Sequence, residues 1–358
     1  MNNKAVIAMS GGVDSSVAAY LMKQRGFDCI GVTMKLFANE DIGISREHSC
    51  CSLDDVEDAR SVAYSLDMPY YVFNFSDRFE TDVIDRFIHA YENGITPNPC
   101  IDCNRYLKFD KLYMRAKELD LDYVVTGHYA RVEKDENGRF LLKKALDDTK
   151  DQSYVLYCLT QEQLSHTIFP LGEMRKSQAR EIAESQGFIN ARKADSQDIC
   201  FVQNGSYADF IEQYTGKNYP DGDFLDTNGN IIGRHKGVIR YTVGQRKGLG
   251  ISAPEPLYVK AVNPVSNTVT LSYNDGLYSS IVKAGDINLI SVPEINGEMR
   301  VKAKVRYRHT EQWATVTQNG DTITAVFDEP QRAVTCGQAL VLYDGDTVVG
   351  GGTLIEVE

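Results

Sequence analysis

The chain has 358 residues, of which 42% are hydrophobic and 25% charged, so it is long enough for two or three ordinary globular domains. Its formal net charge of -12 argues against a protein that coats nucleic acid nonspecifically, and an RNA partner would require a local basic surface. The first residues lack the apolar run of a signal peptide, and charges interrupt every apolar stretch before it reaches membrane-spanning length. We therefore expect a cytoplasmic protein with no membrane partner.

The first third of the chain alternates between strand-like and helix-like segments. Apolar strand patterns occupy residues 6–9, 29–34, 70–75 and 123–126, and helical patterns occupy 15–25 and 53–66. This alternation predicts a parallel sheet covered by helices, with ligands at the carboxyl ends of the strands.

The last third contains mostly strands and turns, with hairpins predicted at Asn296-Gly297, Asn319-Gly320 and Asp344-Gly345. This pattern favours a small β-barrel. The predicted fold class is therefore α/β with three domains: a parallel-sheet domain (1–205), a small central domain (206–276) and a C-terminal β-barrel (277–358).

The first predicted strand runs into the string SGGVDSS at residues 10–16, where a helix follows. Glycines let the backbone approach a phosphate closely, and the start of a helix offers free amide groups to an anion. Asp14 could orient the loop or hold Mg²⁺. A tight turn that uses glycine only for geometry is the alternative, but the whole string in this context favours nucleotide binding. It lacks the Gly-Lys-Ser/Thr ending of a Walker loop.

Eight cysteines in a chain without a secretion signal indicate thiol chemistry or metal binding rather than a disulfide scaffold. Cys100 and Cys103 follow two prolines in the string PNPCIDCN, and Asn104 is predicted to open a helix whose dipole would stabilise the Cys103 thiolate. Cys200 lies in the apolar string DICF and, taken alone, would be a small buried hydrophobe. We interpret Cys50 and Cys51 as parts of a polar loop with no assigned chemistry.

Residues 277–358 hold seven Lys or Arg against eleven Asp or Glu, yet the string RVKAKVRYR at 300–308 has five cations at alternate positions. On one strand all five would share a face, which favours phosphate contact over an ordinary solvated face. The same periodicity puts Tyr307 on the core side. A second basic stretch, YTVGQRKGLG at 241–250, offers Arg246 and Lys247 to phosphate.

Six strings occur in order along essentially the whole chain: SGGVDS, TPNPCIDCNRYLKFD, TGHYAR, KDQSYVLY, SQDICF and YTVGQRKGLG. Together they closely resemble the tRNA-specific 2-thiouridylases of the MnmA type, members of the PP-loop ATP pyrophosphatase superfamily. The resemblance implies an N-terminal PP-loop ATPase domain that uses ATP and Mg²⁺ to adenylate the 2-oxygen of a wobble uridine. A cysteine persulfide would then supply sulfur, giving 2-thiouridine, AMP and pyrophosphate. The implied partners are the anticodon stem-loop of tRNA and a cysteine desulfurase or sulfur-relay protein.

The resemblance also implies roles for individual residues. It makes Cys103 the nucleophile and Cys200 the persulfide carrier, and it brings Asn98, Pro99 and Cys100 against the target base. The implied ATP contacts are Ala8, Met9, Ser10, Gly11, Gly12, Val13, Asp14, Ser15, Met34 and Gly127. The implied tRNA contacts are His128, Lys150, Asp151, Gln152, Arg306, Tyr307 and Gln338.

One position departs from the family, because many members have aspartate where this chain has Cys100. Cys100, Cys103 and Cys200 could instead ligate a [4Fe–4S] cluster with one open iron. A structural zinc ion would need a fourth ligand, for which Asp102, His128, Cys50 and Cys51 are the candidates. Two other functions stay open at this point. One is a different PP-loop adenylating ligase or amidotransferase synthetase, and the other is a nonenzymatic iron–sulfur protein that binds RNA.

Overall fold

The computed structural model describes residues 3–37, 53–195, 199–202 and 206–358; Cys50 and Cys51 lie outside these residues. The strands are β1 (Lys4–Ala8), β2 (Asp28–Lys35), β3 (Tyr70–Asn74), β4 (Tyr123–Val125), β5 (Arg131–Lys134), β6 (Phe140–Lys143), β7 (Thr167–Ile168), β8 (Gly222–Leu225), β9 (Ile231–His235), β10 (Tyr258–Asn263), β11 (Thr268–Ser272), β12 (Tyr278–Leu289), β13 (Met299–Lys304), β14 (Gln312–Asn319), β15 (Thr322–Arg332), β16 (Ala339–Asp344) and β17 (Thr347–Val357). The α-helices are α1 (Val13–Gln24), α2 (Leu53–Ser65), α3 (Ser76–Phe79), α4 (Asp85–Glu92), α5 (Pro99–Asp102), α6 (Leu112–Glu118), α7 (Ser153–Leu156), α8 (Gln161–Ser165), α9 (Lys176–Ser185) and α10 (Tyr207–Thr215). Two π-helical segments, Glu80–Ile84 and Cys103–Lys111, continue α3 into α4 and α5 into α6.

The chain forms two compact units. The first comprises Met1–Ile84, Pro99–Asn204 and Gly345–Val349, and the second comprises Asp85–Asn98, Gly205–Asp344 and Gly350–Glu358. The three domain boundaries expected from the sequence stay a prediction. Within the described part of the chain, every helix is too short or too polar to cross a lipid bilayer.

The first unit is built on a five-stranded sheet in the order β3-β2-β1-β4-β7, in which all neighbouring strands are parallel. Its central strand, β1, has Ala5, Val6 and Ile7 fully buried, as expected for a strand covered on both faces. This confirms the predicted parallel sheet. The carboxyl end of β1 leads directly into the glycine-rich loop and α1, so the loop lies where ligands of such sheets bind.

The second unit contains a four-stranded sheet (β10-β11-β8-β9) and the C-terminal barrel. The barrel follows the strand order β12-β15-β14-β13-β16-β17 and closes because β12 also pairs with β17. The predicted barrel is therefore confirmed. The hairpins at 319–320 and 344–345 are also confirmed, because β14 pairs with β15 and β16 with β17. The hairpin predicted at 296–297 is wrong, since β12 and β13 are not neighbours in the barrel.

Candidate nucleotide and sulfur site

The phosphate loop joins β1 to α1. Gly11 has a φ of 73°, and a Cβ there would lie 2.4 Å from the carbonyl oxygen of Asp55, so this position requires glycine. The Ser15 hydroxyl donates to the Gly12 carbonyl (3.0 Å) and accepts the Ser10 amide (3.2 Å), which fixes the shape of the loop. Because α1 begins immediately after Gly12, its first amide groups face this loop, as in phosphate-binding helix starts.

The backbone that follows β4 packs closely against the start of α1. A Cβ on Gly127 would lie 2.7 Å from the carbonyl carbon of Asp14 and 2.8 Å from the Ser15 amide nitrogen. Met34 is half-buried near the end of β2, and Met9 is buried at the end of β1. The contacts of these residues with ATP stay predictions, but Gly127 lies directly beside the loop.

Asp14 is held by a buried lysine that no sequence motif indicated. Lys176, at the start of α9, is 8% exposed, and its ammonium group donates to the two carboxylate oxygens of Asp14 at 2.8 and 2.7 Å. The Tyr129 hydroxyl donates to the same carboxylate at 2.8 Å. The structure therefore favours Asp14 as a residue that orients the loop, with its charge balanced by Lys176.

A second carboxylate, Asp195, joins this network. It lies 2.7 Å from Lys176, 2.9 Å from Lys150 and 3.1 Å from Arg180. Burial alone would raise the pKa of Asp195, but the hydrogen bonds from Lys176 and Lys150 outweigh it and lower the pKa to about 2. Asp195 is therefore ionised at neutral pH and pairs with three cations, of which Lys176 also contacts Asp14 in the loop.

Two further side chains hold the loop from behind. The buried Asn190 amide donates to the Gly11 carbonyl and to the Ser16 hydroxyl, both at 2.9 Å. The Lys193 ammonium donates to the Gly11 carbonyl at 3.4 Å and pairs with Asp55 at 2.5 Å and with Asp58 at 2.7 Å. The segment 190–195 thus anchors the phosphate loop.

Sequence reasoning missed Lys176, Asn190, Lys193 and Asp195. The available signal was weak, because these are ordinary polar residues that lie more than 160 residues after the loop. The nearest indication is the string ARKAD at 191–195, which precedes the string that carries Cys200.

The two cysteines with predicted roles differ in exposure: Cys103 is 8% exposed and Cys200 is half-buried. Phe201, fully buried, packs edge-on against Phe79 at 5.7 Å between ring centres, which fixes the chain next to Cys200. Asp195 precedes Cys200 by five residues, so their Cα atoms lie within about 18 Å of each other. Asp195 contacts Lys176, and Lys176 contacts Asp14, so Cys200 follows the phosphate-loop network closely in sequence, and its part in sulfur transfer stays a prediction.

The helix at the first cysteine pair begins earlier than the sequence analysis predicted. It starts at Pro99, since proline suits the first helical position, and it continues as a π-helix from Cys103. Asn104 is therefore interior rather than a cap, and its buried amide donates to the Val155 carbonyl at 2.9 Å. Cys103 therefore lies beyond the first turn of the helix, which contains the exposed Cys100, and the stabilisation of its thiolate stays a prediction.

The proposed metal ligands do not converge. Among residues 3–37, 53–195, 199–202 and 206–358, no three Cys, His, Asp or Glu side chains lie close enough together to hold a metal ion. Cys100, Cys103 and Cys200 therefore do not fit a [4Fe–4S] cluster or a zinc ion in this structure, and neither His128 nor Asp102 completes such a set.

The predicted tRNA contacts of the first unit have roles within the protein. Lys150 pairs with Asp195, and Asp151 accepts the hydroxyl of Ser153 at 2.8 Å. The Gln152 side-chain oxygen accepts the Tyr129 amide at 2.9 Å. These bonds fix the backbone of residues 150–153, and contact with tRNA stays a prediction.

His128 lies in an aromatic cluster. Its ring centre is 6.0 Å from that of Phe109 and 5.9 Å from that of Phe169, and its Nδ1 lies 2.7 Å from the Thr126 hydroxyl. Burial, and secondarily the charge of Lys108, lower the pKa of His128 well below its usual value. The imidazole is therefore neutral at pH 7, and any contact with RNA would be a hydrogen bond or stacking.

In the second unit, Gln338 and Arg306 also bind backbone. The Gln338 amide donates to the carbonyls of Thr96 (2.9 Å) and Pro97 (3.1 Å), which positions the chain just before Asn98. Arg306 donates to the carbonyls of Val243 (3.0 Å) and Ala333 (2.6 Å).

The five-cation face predicted at 300–308 is wrong in its second half, because β13 ends at Lys304 and the chain then turns. After that turn Arg306 points inward to backbone carbonyls, while Tyr307, expected on the core side, is 40% exposed. Arg300 pairs with Asp328, so its charge is balanced within the barrel. Arg246 and Lys247 are exposed, as a phosphate contact would require.

The parallel sheet, the SGGVDS loop at its central strand and the anchored helix start place the chain in the PP-loop class of α/β proteins. Three family models match it: "tRNA methyl transferase HUP domain" over residues 3–204, "tRNA methyl transferase PRC-barrel domain" over 208–273 and "Aminomethyltransferase beta-barrel domain" over 279–354. The "tRNA-specific 2-thiouridylase MnmA" of Clostridioides difficile (strain 630) is 52% identical over 356 residues, which cover 99% of this chain and 98% of the relative. The protein of the same name from Clostridium perfringens (strain 13 / Type A) is 48% identical over 353 residues, with 98% of each chain covered.

The chain belongs to the MnmA family of tRNA-specific 2-thiouridylases. Among solved structures, the "4-thiouridine synthetase - RNA complex with bound ATP" is 18% identical with a TM-score of 0.37, covering 59% of this chain and 50% of that chain. That likeness is too weak to add to the assignment. The family models describe methyl transfer while the relatives are named for thiolation, so the chemistry of the site has to distinguish the two reactions.

Proposed function

We propose that this protein is an ATP-dependent tRNA 2-thiouridylase that converts a wobble uridine to 2-thiouridine. The observation that supports the proposal is the charged network of Asp14, Lys176 and Asp195, which holds the phosphate loop and whose Asp195 precedes Cys200 by five residues in the chain. Methyl transfer from S-adenosylmethionine has no need for an ATP-binding phosphate loop. Thiolation of a uridine needs ATP and a sulfur-carrying cysteine, because the uridine oxygen must be activated before sulfur can replace it.

ATP enters as its Mg²⁺ complex, and the loop at residues 10–15 holds its phosphates. Lys176 and Lys193 keep the loop in shape through Asp14 and Gly11. The 2-oxygen of the uridine attacks the α-phosphate, which releases pyrophosphate and leaves an adenylated base. AMP is then a good leaving group, whereas the original carbonyl oxygen is not.

Sulfur transfer uses the two cysteines. Cys200 carries a persulfide, and its terminal sulfur attacks C2 of the base and displaces AMP. The Cys103 thiolate then attacks the Cys200 sulfur, so the S–S bond breaks and its electron pair stays on the sulfur bound to the base. The products are 2-thiouridine and a Cys103–Cys200 disulfide, which an external dithiol reduces by exchange. A cysteine desulfurase or a sulfur-relay protein reloads the persulfide.

The remaining site residues position the RNA in this proposal. The base lies against Asn98, Pro99 and Cys100, and the carbonyls that precede them are held by Gln338. Residues 206–276 and 277–358 act as tRNA-contact domains, with Arg246, Lys247 and Tyr307 at exposed positions. The donor set does not fit a [4Fe–4S] cluster, so no step passes through one.

Two activities measured side by side test this function. We expect tRNA-dependent pyrophosphate release from ATP, together with 2-thiouridine when a desulfurase and cysteine are present. Cys103→Ser and Cys200→Ser should abolish thiolation but keep pyrophosphate release, because adenylation precedes sulfur transfer. Cys336→Ser, a half-buried cysteine of the second unit, is the matched control and should keep both activities.

Each rival reaction gives a different result. A PP-loop ligase of another type would keep its full turnover in the Cys103→Ser, Cys200→Ser double variant. A nonenzymatic RNA-binding protein would release no pyrophosphate in response to tRNA. A methyltransferase would transfer labelled methyl groups from S-adenosylmethionine to tRNA without ATP.

A further inference from the structure

The outer face of the barrel strands β13 and β14 carries the single tryptophan of the chain. Trp313 lies directly opposite Lys302 in the antiparallel ladder, and 48% of its surface is exposed. The guanidinium carbon of Arg300 lies 5.1 Å from the ring centre and the Lys302 ammonium lies 5.6 Å from it. A large aromatic ring is therefore half-exposed to solvent beside two cations, whereas soluble proteins usually cover such a ring.

The charges on this face are not all balanced by carboxylates. Arg300 is paired with Asp328, but among the described residues no carboxylate lies within 4.0 Å of the Lys302 or Lys304 ammonium groups. The Lys304 ammonium lies 5.7 Å from the ring centre of Tyr343. In a chain with a net charge of -12, two lysines without carboxylate partners beside an exposed indole form a local site of opposite sign.

We infer that this tryptophan–lysine face, formed by Lys302, Lys304 and Trp313, binds the substrate tRNA at nucleotides other than the reacting uridine. Lysines at alternate positions of one strand lie roughly 6.6 Å apart on the same face, so each contacts its own phosphate. The exposed side of the indole stacks on a base or a ribose, which needs no particular sequence. Both chemical features of a nucleotide, its anionic phosphate and its flat base, are thereby matched. This inference rests on the proposed function for the identity of the RNA.

Because Trp313 is the only tryptophan, its fluorescence reports on this face alone. We expect saturable quenching when an unmodified tRNA transcript with a wobble uridine is added, and weaker binding as salt rises. Filter binding of the same tRNA provides an independent affinity. Emission that stays unchanged while filter binding shows a complex would overturn the inference, and so would quenching by a sulfur-donor protein but not by tRNA.

A double variant, Lys302→Gln with Lys304→Gln, tests the phosphate contacts. The KM for tRNA should rise about tenfold, while kcat should stay within about twofold of the wild-type value. The slope of log binding constant against log salt concentration should become shallower by roughly 1.5, because two phosphate contacts are lost. Lys283→Gln is the matched control, because this lysine of the same barrel is paired with Glu356 and Glu358. An unchanged KM in the double variant, or an equal rise in the control, would contradict the inference.

Failure of this inference and failure of the proposed function give different results. If the wild-type protein makes no 2-thiouridine but shows tRNA-dependent quenching of Trp313, the proposed function is contradicted and the tryptophan–lysine face is supported. If the protein thiolates tRNA without quenching of Trp313, and the double variant has an unchanged KM for tRNA, only the inference about the tryptophan–lysine face is contradicted.

Discussion

Lys176 donates to both carboxylate oxygens of Asp14, at 2.8 and 2.7 Å, although 162 residues separate them in the chain. The contact joins the first turn of α1 to the first turn of α9, and Lys176 also reaches Asp195 at 2.7 Å. A buried lysine between two carboxylates fixes both of them. The phosphate loop is therefore held by the far end of its own unit as well as by its local glycine geometry.

Lys176→Gln should weaken both the fold and the nucleotide site. Removing the ammonium leaves two carboxylates facing each other, which should lower the free energy of unfolding by about 1–3 kcal/mol. The KM for ATP should rise about tenfold, because Asp14 loses its orientation. Urea unfolding and tRNA-dependent pyrophosphate release measure the two effects. Lys150 also pairs with Asp195, but its side chain is more exposed, so Lys150→Gln is the control. This variant should lower the free energy of unfolding by less than about 1 kcal/mol and leave the KM for ATP unchanged. Equal effects of the two variants would argue against the special role of Lys176.

Gly127→Ala should damage ATP use without removing any polar group. The added methyl would lie 2.7 Å from backbone of Asp14, so the start of α1 has to shift. We expect pyrophosphate release to fall about 100-fold. Gly285→Ala is the matched control, since a Cβ there would lie 3.5 Å from Ile355 in ordinary contact. Normal ATP kinetics in Gly127→Ala would show that this close approach is not part of the nucleotide site.

Arg306→Lys should lower the free energy of unfolding, whatever its effect on RNA binding. The guanidinium bonds to the carbonyls of Val243 and Ala333, and a lysine cannot reproduce this arrangement. We expect a loss of about 1–2 kcal/mol in urea unfolding, against less than about 0.5 kcal/mol for the exposed neighbour Arg308→Lys. If the two substitutions cost the same stability, Arg306 has no structural role of this kind.

His128 should make the protein less stable as pH falls. Its folded-state pKa is lowered well below 6.5 by burial, so the folded protein keeps the imidazole neutral while the unfolded chain takes up a proton below about pH 6.5. The contribution of neutral His128 to the free energy of unfolding is therefore complete above pH 6.5 and is progressively lost as the pH falls towards 5. The urea midpoint of the wild type should fall over this range more steeply than that of His128→Gln. Parallel pH curves for the two proteins would contradict this.

Cys100→Asp should retain thiolation, because Cys103 and Cys200 carry the sulfur chemistry in the proposed route. The variant also introduces the residue that the family resemblance leads us to expect at this position. Activity should persist when the protein is purified anaerobically and contains no iron or acid-labile sulfide. About four irons and four sulfides per chain, lost together with activity on substitution of Cys100, would require a different sulfur-transfer step.

The local patterns predicted the elements of the first sheet well. The strands predicted at 6–9 and 70–75 occur as β1 and β3, displaced by at most two residues, because apolar β-branched runs in a parallel sheet have few alternative structures. The phosphate loop was predictable for the same local reason, since its glycines, serines and helix lie within seven residues.

The features that local sequence did not predict depend on tertiary contacts. Nothing in the neighbourhood of Lys176 indicates that its ammonium group would meet Asp14, because that distance depends on the whole sheet. The alternation at 300–308 continued past the end of β13, where the inward bonds of Arg306 turn the chain. The helix start at Pro99 was missed because Asn104 also has the chemistry of a cap.

The most direct test of the central claim is the formation of 2-thiouridine by purified protein supplied with ATP, an unmodified tRNA, cysteine and a desulfurase. A gel containing a mercury reagent retards thiolated tRNA and gives the yield. The wild type should produce a retarded, ATP-dependent band, and Cys103→Ser and Cys200→Ser should each produce none while still releasing pyrophosphate. A retarded band of wild-type intensity from either cysteine variant would contradict the proposed mechanism.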